Sequence, residues 1–312
     1  MINQPLVSVL LPAYNAEGTI SDTILSIINQ TYTNWELIII NDGSKDKTLE
    51  TIDRIKDNRI RIYSNDGNKG LIYSLNRSID LAKGQYLARI DADDIALPTR
   101  LEKQVLYMES HQDVIVSGTF METFGNVETP SIVSFETTNE SIKEQFPLKT
   151  AFGHPSVIIR KSILERTNIR YDDDYKCAED IKLWFDLMPY GEFANIPEVL
   201  MRYRISSSQC TQSGNQTMIE NAKICRDLYL DRKTNGWFSK NMKGNRITIA
   251  MINSFKKKYS DRTLLLGLYR SMEAYQFPIL LYSIVSFDIL KFPALEVKNI
   301  VKRFLNKGNK VF

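Results

Sequence analysis

The sequence has little of what builds thiolate or imidazole metal centres: of 312 residues, three are cysteine and two histidine. Cys177, Cys210 and Cys225 are far apart and odd in number, which excludes a disulfide framework and a CxxC zinc pair. His111 and His154 are too few for a His-rich centre. No apolar run reaches the roughly 20 residues that a membrane-spanning helix needs. The C-terminal run between Glu273 and Asp288 is shorter and is broken by Pro278. The opening Met1-Ile2-Asn3-Gln4-Pro5 has neither a basic n-region nor an apolar stretch, so no secretory signal is expected and a reducing cytoplasm fits. Fourteen Gly and ten Pro exclude collagen-like composition. No internal repeat is visible. No GxGxxG follows the first apolar run, which ranks a dinucleotide-dependent oxidoreductase low.

What is present is a globular composition, 43% hydrophobic, with a net charge of +3. That small charge hides a split. Residues 241–312 carry 13 Lys/Arg against 4 Asp/Glu, and residues 1–240 carry 27 against 33. The last part is therefore +9 and the rest −6, which argues against a uniformly basic nucleic-acid binder. The length suggests about two domains, or one large α/β domain with an appendage.

The first hundred residues alternate strand and helix signals. Leu6–Leu11, Glu36–Ile40, Arg59–Tyr63 and Tyr86–Ile90 read as strands. Between them, Ile20, Thr23, Ile24, Ile27 and Ile28 repeat at helical spacing, as do Leu71, Leu75, Ile79 and Ala82. Asp46 is placed to cap the helix that contains Leu49 and Ile52. This order predicts a mostly parallel, Rossmann-like sheet with helices on both faces, whose ligands bind beyond the carboxyl ends of the strands. Three of those ends are polar: Tyr14-Asn15, Asn41-Asp42 and Asp91-Ala92-Asp93-Asp94. From about 113 to 200 the pattern is mixed, with strands expected at Asp113–Gly118 and Ser156–Ile159 and a helix at Glu179–Met188. Residues 216–312 read as mostly helical.

Three carboxylates within four residues repel one another and need a counter-charge. A hard divalent cation on a diphosphate supplies one; the alternative is a solvated acidic turn, with Asp94 as the structural member. Asp42 suits either a hydrogen bond from a nucleobase or an Asx turn. Tyr14 suits either packing beside a base or simple exposure at a helix start. Glu179-Asp180 opens an amphipathic helix, where carboxylates are either dipole partners or a general base. His154, in Gly153-His154-Pro155, is either a packed residue or a member of a formed loop.

Taken together, these segments resemble glycosyltransferase family 2, the inverting enzymes of GT-A fold. The matching stretches are Val7–Asn15, Ser26–Thr48, Asn68-Lys69-Gly70, Ala82-Lys83-Gly84, Ala88–Asp94, Gly153-His154-Pro155 and Ala178-Glu179-Asp180 with Leu183-Trp184. They span roughly residues 5–205 in the family's order. The stretches at Gly70–Asn76 and Ala88–Ala96 are similar to those of bacterial enzymes adding GlcNAc or glucose in β-1,3 linkage to lipopolysaccharide or O-antigen.

The resemblance implies a GT-A domain over residues 1–240; beyond it the match fades, and residues 241–312 read as a basic helical C-terminal region. It implies that Pro12, Tyr14, Asn15, Glu17 and Asp42 hold the nucleotide of a UDP-sugar, with Asn68 and Gly70 lining its pocket and Asp91 near the ribose. Asp93 would bind Mn²⁺ or Mg²⁺ against the diphosphate, and Asp180 would be the catalytic base. His154 and Glu179 would lie on the acceptor side, His154 alternatively near the metal. Arg202 and Arg204 would face the diphosphate or the acceptor, or be ordinary strand-end charges. The acceptor would be a glycan, either free or lipid-linked. The basic tail, with its apolar Phe277, Leu280, Leu281, Ile284 and Phe287, is either a solvated face or, as its charge and apolar stripe favour, a peripheral contact with the anionic cytoplasmic face of the inner membrane. A non-catalytic sugar-nucleotide or glycan-binding module is the reading from another class.

Overall fold

The computed structural model describes residues 4–146, 148–206, 216–242, 254–255 and 257–259. Cys210, the proposed membrane-facing stripe and nearly all of the expected appendage at 241–312 lie outside the described residues. In chain order the elements begin β1 (Val7–Ala13), α1 (Ile20–Ile28), β2 (Trp35–Asn41), α2 (Thr48–Arg54), β3 (Ile60–Ser64), α3 (Leu71–Leu81) and β4 (Tyr86–Arg89). There follow β5 (Ile95–Ala96), α4 (Arg100–Ser110), β6 (Val114–Gly125), β7 (Ile132–Val133), α5 (Asn139–Gln145), β8 (Ile158–Arg160) and α6 (Lys161–Thr167). The last are α7 (Glu179–Leu187), β9 (Glu192–Ile205), α8 (Gln216–Lys233) and α9 (Trp237–Met242).

The strands form one sheet in the order β3-β2-β1-β4-β8-β6-β9-β5, with β7 added to β6. The parallel half is β3-β2-β1-β4, as the first hundred residues predict. Beyond it β8 runs antiparallel to β4 and β6, whereas β6 and β9 pair in parallel. Every residue of β1 and β2 is buried, as expected of strands covered on both faces. On one face Val7, Val9 and Leu11 pack with Ile20, Ile24 and Ile27 of α1 and Leu101 and Met108 of α4. On the other, Leu10, Ile38 and Ile40 pack with Ile72, Leu75 and Ile79 of α3 and Leu183 and Trp184 of α7. The inner face of α3 is thus set by Ile72 rather than Leu71, which is exposed. Phe255 and Tyr259 continue the packing past α9, against Trp237.

The chain order reverses between β1 and β4. A crevice at such a switch point lies beyond the carboxyl ends of the two strands, here at Tyr14-Asn15 and Asp91 to Asp94.

Candidate active site

The loops after β1 and β2 are tied into one wall. Asn15, at φ 48°, donates its backbone N–H to Ser44 Oγ at 3.0 Å, and its Oδ1 accepts from the Lys45 N–H at 2.9 Å. Glu17 accepts from the Lys47 N–H at 2.8 Å and donates its own N–H to the Asp46 carboxylate at 3.1 Å. Asp46 therefore bridges two loops as well as accepting from the Thr48 N–H at 3.0 Å at the start of α2. Pro12 is buried in β1 opposite Ile40, and Tyr14 is 43% exposed at the rim.

Asp42 anchors the second wall. Its Oδ1 accepts from Asn65 Nδ2 at 2.6 Å and from the Lys69 N–H at 2.9 Å, and its Oδ2 from the Gly70 N–H at 2.8 Å. A carboxylate offers about four acceptor sites, so Asp42 shapes the Asn65–Gly70 turn and retains capacity on Oδ2. Gly70 adopts φ 93°, and Asn68 is exposed beside it.

The acidic loop after β4 forms the floor. One carboxylate oxygen from each of Asp91, Asp93 and Asp94 falls within 4.8 Å of the others. Helix α1 holds this loop from behind: Thr19 Oγ1 donates to the Ala92 carbonyl at 2.9 Å and Thr23 Oγ1 to the Asp94 carbonyl at 2.8 Å. Asp94 is fully buried; its Oδ1 accepts from the Arg204 N–H at 2.8 Å and its Oδ2 has no partner. Burial, then repulsion from Asp91, pushes the Asp93 carboxyl up to about 6, with Arg204 pulling the other way. Arg204 Nε also donates to the Asp93 carbonyl at 2.8 Å. Arg202 turns instead to Glu122, with Nε 3.1 Å from its carboxylate. Both guanidiniums stack on Phe124, 4.6 and 4.4 Å from the ring centre.

Glu179 and Asp180 occupy the first turn of α7, where the helix dipole favours negative charge. Asp180 Oδ1 accepts from the Ile181 N–H at 2.8 Å, so part of this carboxylate serves the helix start. Burial raises Asp180, offset in part by that hydrogen bond and by Arg89. Burial and the neighbouring Asp180 push Glu179 up to about 7. His154 lies in a single 3₁₀ turn whose Nε2 shares a hydrogen bond of 2.9 Å with the Tyr171 hydroxyl. Its Nδ1 stands 3.9 Å from Glu179 Oε1. Burial and then Arg89 lower the imidazole well below its usual range, so it is neutral near pH 7 and this approach is not an ion pair.

The fold thus gathers Pro12, Tyr14, Asn15, Glu17, Asp42, Asn68 and Gly70 on the two walls and Asp91 and Asp93 on the floor, and brings Glu179 and Asp180, with His154 beside them, within electrostatic reach of Asp91. Sequence reasoning missed three members. Arg89 is buried and ion-paired with Asp91, and Arg100 is buried with Nη2 2.7 Å from the Arg89 carbonyl. Burial, then repulsion from Arg89, pulls the Arg100 guanidinium down to about 9, which leaves it charged at neutral pH. Tyr171 completes the His154 contact. The signal for Arg89 was present as a lone charge inside an apolar strand, directly before the acidic loop.

The chain has relatives in sequence and in fold. Residues 8–167 match the sequence model described as Glycosyl transferase family 2. An uncharacterized glycosyltransferase of Haemophilus influenzae is 34% identical, covering 100% of both chains. The putative glycosyltransferase EpsE of Bacillus subtilis is 32% identical, over 83% of this chain and 95% of its own. An Escherichia coli protein, the UDP-Glc:alpha-D-GlcNAc-diphosphoundecaprenol beta-1,3-glucosyltransferase WfgD, is 29% identical over 67% of this chain and 80% of its own. Among solved structures, S. aureus TarS 1–349 in complex with UDP-GlcNAc superposes with a TM-score of 0.60 at 17% identity, covering 86% of this chain and 89% of that one. The mannosyltransferase PcManGT of Pyrobaculum calidifontis, in complex with GDP-Man and Mn²⁺, gives 0.54 at 15% identity, covering 97% and 86%. Walls, floor and the Glu179-Asp180 pair stand on a GT-A fold, and the chain belongs to glycosyltransferase family 2.

Proposed function

We propose that this enzyme transfers one hexose or N-acetylhexosamine (Glc, GlcNAc, Gal or GalNAc) from a UDP-sugar to a hydroxyl of a glycan acceptor, with inversion, during synthesis of a bacterial surface polysaccharide. The observation that carries this reading is the clustering of Asp91, Asp93 and Asp94, with Glu179-Asp180 within electrostatic reach of Asp91. It supports a donor side and an acceptor side. The relatives named for UDP-glucose and lipid-linked GlcNAc support the donor class and the acceptor class.

The floor suits a hard divalent ion. Three carboxylate oxygens lie within 4.8 Å of one another, Asp94 Oδ2 is buried without a partner, and an all-oxygen donor set is what Mn²⁺ or Mg²⁺ takes. Asp93, supported by Asp91 and Asp94, would hold it, and when bound it supplies positive charge against the departing diphosphate. Tyr14 and Asp42 would bound the nucleotide between the two walls, fixing the donor for attack from the acceptor side.

Asp180 then accepts the proton of the acceptor hydroxyl. The hydroxyl oxygen forms its bond to the anomeric carbon as the bond to the diphosphate breaks, and UDP leaves with the electron pair. One displacement inverts the anomeric centre, and no carboxylate nucleophile is needed. Glu179 and His154 would meet the acceptor beside the base. Arg204 braces the acidic loop, and Arg202 is left to the rim. The +9 segment at 241–312 would hold the enzyme peripherally against an anionic cytoplasmic leaflet, where a lipid-linked acceptor resides. No helix among the described residues is long and apolar enough to cross a membrane.

A panel of UDP-sugars, scored by UDP release with Mn²⁺, Mg²⁺ or EDTA, tests the reading. Release with one or two donors and its loss in EDTA are expected. Full activity in EDTA would remove the metal role of Asp93. Asp180→Asn is expected to lower turnover by at least about a hundredfold while UDP binding by calorimetry persists. UDP binding with no transfer to any acceptor would favour a non-catalytic binding module.

A further inference from the structure

We propose that Tyr171 is a positioning residue for acceptor recognition. Its hydroxyl holds His154 in the tautomer protonated on Nδ1, so that His154 and Glu179 present one donor and one acceptor to a single non-reacting hydroxyl of the acceptor sugar. This rests on the reading above that His154 and Glu179 meet the acceptor. Tyr171 is buried, and its backbone is gripped by Asn76 of α3. Asn76 Nδ2 donates to the Tyr171 carbonyl at 2.9 Å, and the Tyr171 N–H donates to Asn76 Oδ1 at 3.0 Å. The Tyr171 ring lies 5.4 Å from the His154 ring, and its hydroxyl lies 2.9 Å from His154 Nε2. Trp184 meets the imidazole edge-on at 6.1 Å. His154 is thus held between two aromatic rings, in a 3₁₀ turn closed by the Ser156 N–H on the Gly153 carbonyl at 2.8 Å.

The tautomer follows from the proton count. A neutral imidazole carries one N–H, and the hydrogen bond at one nitrogen decides which of the two holds it. Suppose Nε2 carried the proton and donated to Tyr171. The buried Tyr171 O–H would then have no acceptor among the described residues, and a bare Nδ1 lone pair would face the Glu179 carboxylate. A buried polar hydrogen left unpaired is costly. If Tyr171 donates to Nε2 instead, its own proton is used and Nδ1–H faces Glu179 Oε1. The 3.9 Å between those atoms is too wide for a direct hydrogen bond. A hydroxyl oxygen about 2.8 Å from each bridges it, accepting from Nδ1–H and donating to the carboxylate. The two side chains keep 11% and 9% of their surface exposed, so the pair is not sealed from the crevice. Only a group that both donates and accepts satisfies it, which is the chemistry of a sugar hydroxyl and not of an ether or a deoxy position. Asp180, the base of the proposed reaction, is the next residue along α7.

The chain has two histidines, and His111 is exposed, so His111→Gln in the tag-free full chain leaves His154 as its one imidazole. Nitrogen-15 NMR of that protein at pH 8, without divalent ions, is expected to show Nδ1 protonated and Nε2 bare. Adding Tyr171→Phe, which keeps the ring and both Asn76 bonds, is expected to mix the two tautomers. Transfer is read as UDP release from the panel's best donor with Mn²⁺, the acceptor being a GlcNAc α-diphosphate on a short alkyl chain. Tyr171→Phe is expected to raise the acceptor KM by about 3- to 10-fold, the worth of one hydrogen bond, with the donor KM unchanged. In a His154→Ala background Tyr171→Phe is expected to add nothing, because Tyr171 acts through His154. A proton on Nε2 in the His111→Gln protein overturns the proposal, as does an unmoved tautomer in Tyr171→Phe. So does an acceptor KM that stays constant in Tyr171→Phe or rises by the same factor in the His154→Ala background. If either variant fails to bind UDP by calorimetry and so has lost its fold, the tautomer of the His111→Gln protein decides. No transfer to this acceptor by the unsubstituted protein would overturn the acceptor class proposed above, and the hydroxyl site with it. Normal transfer with any of the other failures overturns this inference alone.

Discussion

At the scale of single residues, the crevice stores carboxylates where burial disfavours their charge. Glu179 is the clearest case: burial and Asp180 set it at about 7, above the ordinary 4.5. The native state then binds more protons than the unfolded chain between pH 4.5 and 7, so this group's contribution to stability falls as pH rises through that window. Glu179→Gln removes the dependence. Without divalent ions, its melting temperature relative to the unsubstituted protein is expected to climb from pH 4.5 to about 7 and then level off. A difference independent of pH would show that Glu179 titrates normally. His154 has the opposite sign. Its imidazole lies below the ordinary 6.5 in the native state, so its contribution is present above that pH and declines as pH falls. The acidic members of the site were legible because they are neighbours in sequence: Asp91 with Asp93, and Glu179 with Asp180. Arg89 and Tyr171 were not, because Tyr171 meets His154 across 17 residues, and Arg89 lies 82 residues from Tyr171 and 90 from Glu179, groups that only the fold brings near.

At the scale of elements, the nucleotide side depends on two turns that pack backbone against backbone. Gly43 follows Asp42 with φ 69°, and an added Cβ there would sit 2.5 Å from the Gly67 carbonyl carbon. A left-handed backbone costs an L-residue roughly 1–2 kcal/mol, and overpacking adds about 1–3 kcal/mol. Gly43→Ala is therefore expected to lose about 2–5 kcal/mol in denaturant unfolding and to weaken UDP binding by displacing the Asn65–Gly70 turn. Gly67→Ala is the control: its φ is 78° but the space beside it is open, so only the backbone cost of roughly 1–2 kcal/mol applies. Equal losses in the two variants would refute the close-approach argument.

The β-α alternation that frames these turns was legible because β1 and β2 are buried on both faces and read as continuous apolar runs. The second half of the sheet was less so. Strand β9 extends over 14 residues, but its mixture of exposed and buried positions leaves no clean alternation to read along it. Strand β6 likewise runs seven residues beyond Gly118, where buried and half-exposed side chains alternate. Its pairing with β9 is set by contacts between distant segments, which local periodicity does not encode.

At the scale of the whole molecule, charge divides along the chain as the substrates of the proposed reaction divide in space. The −6 of residues 1–240 includes five carboxylates of the crevice, set against Arg89, Arg100 and Arg204. The +9 of residues 241–312 includes Lys256-Lys257-Lys258 and Lys302-Arg303. A lipid-linked acceptor keeps its reacting hydroxyl within a short distance of the bilayer, so an enzyme held at that surface meets it at a raised effective concentration. Each Lys or Arg near an anionic surface is worth about 1 kcal/mol, and the attraction fades over a Debye length of about 8 Å at physiological salt. Replacing these five residues by Gln in the full chain is therefore expected to weaken flotation with phosphatidylserine-containing vesicles by at least about tenfold. Raising the salt should release the unsubstituted protein in the same way. UDP release in solution, which uses only the crevice, is expected to be unchanged. Undiminished flotation of the substituted protein would move membrane attachment away from the tail, and lost UDP release would show that the tail contributes to the catalytic unit.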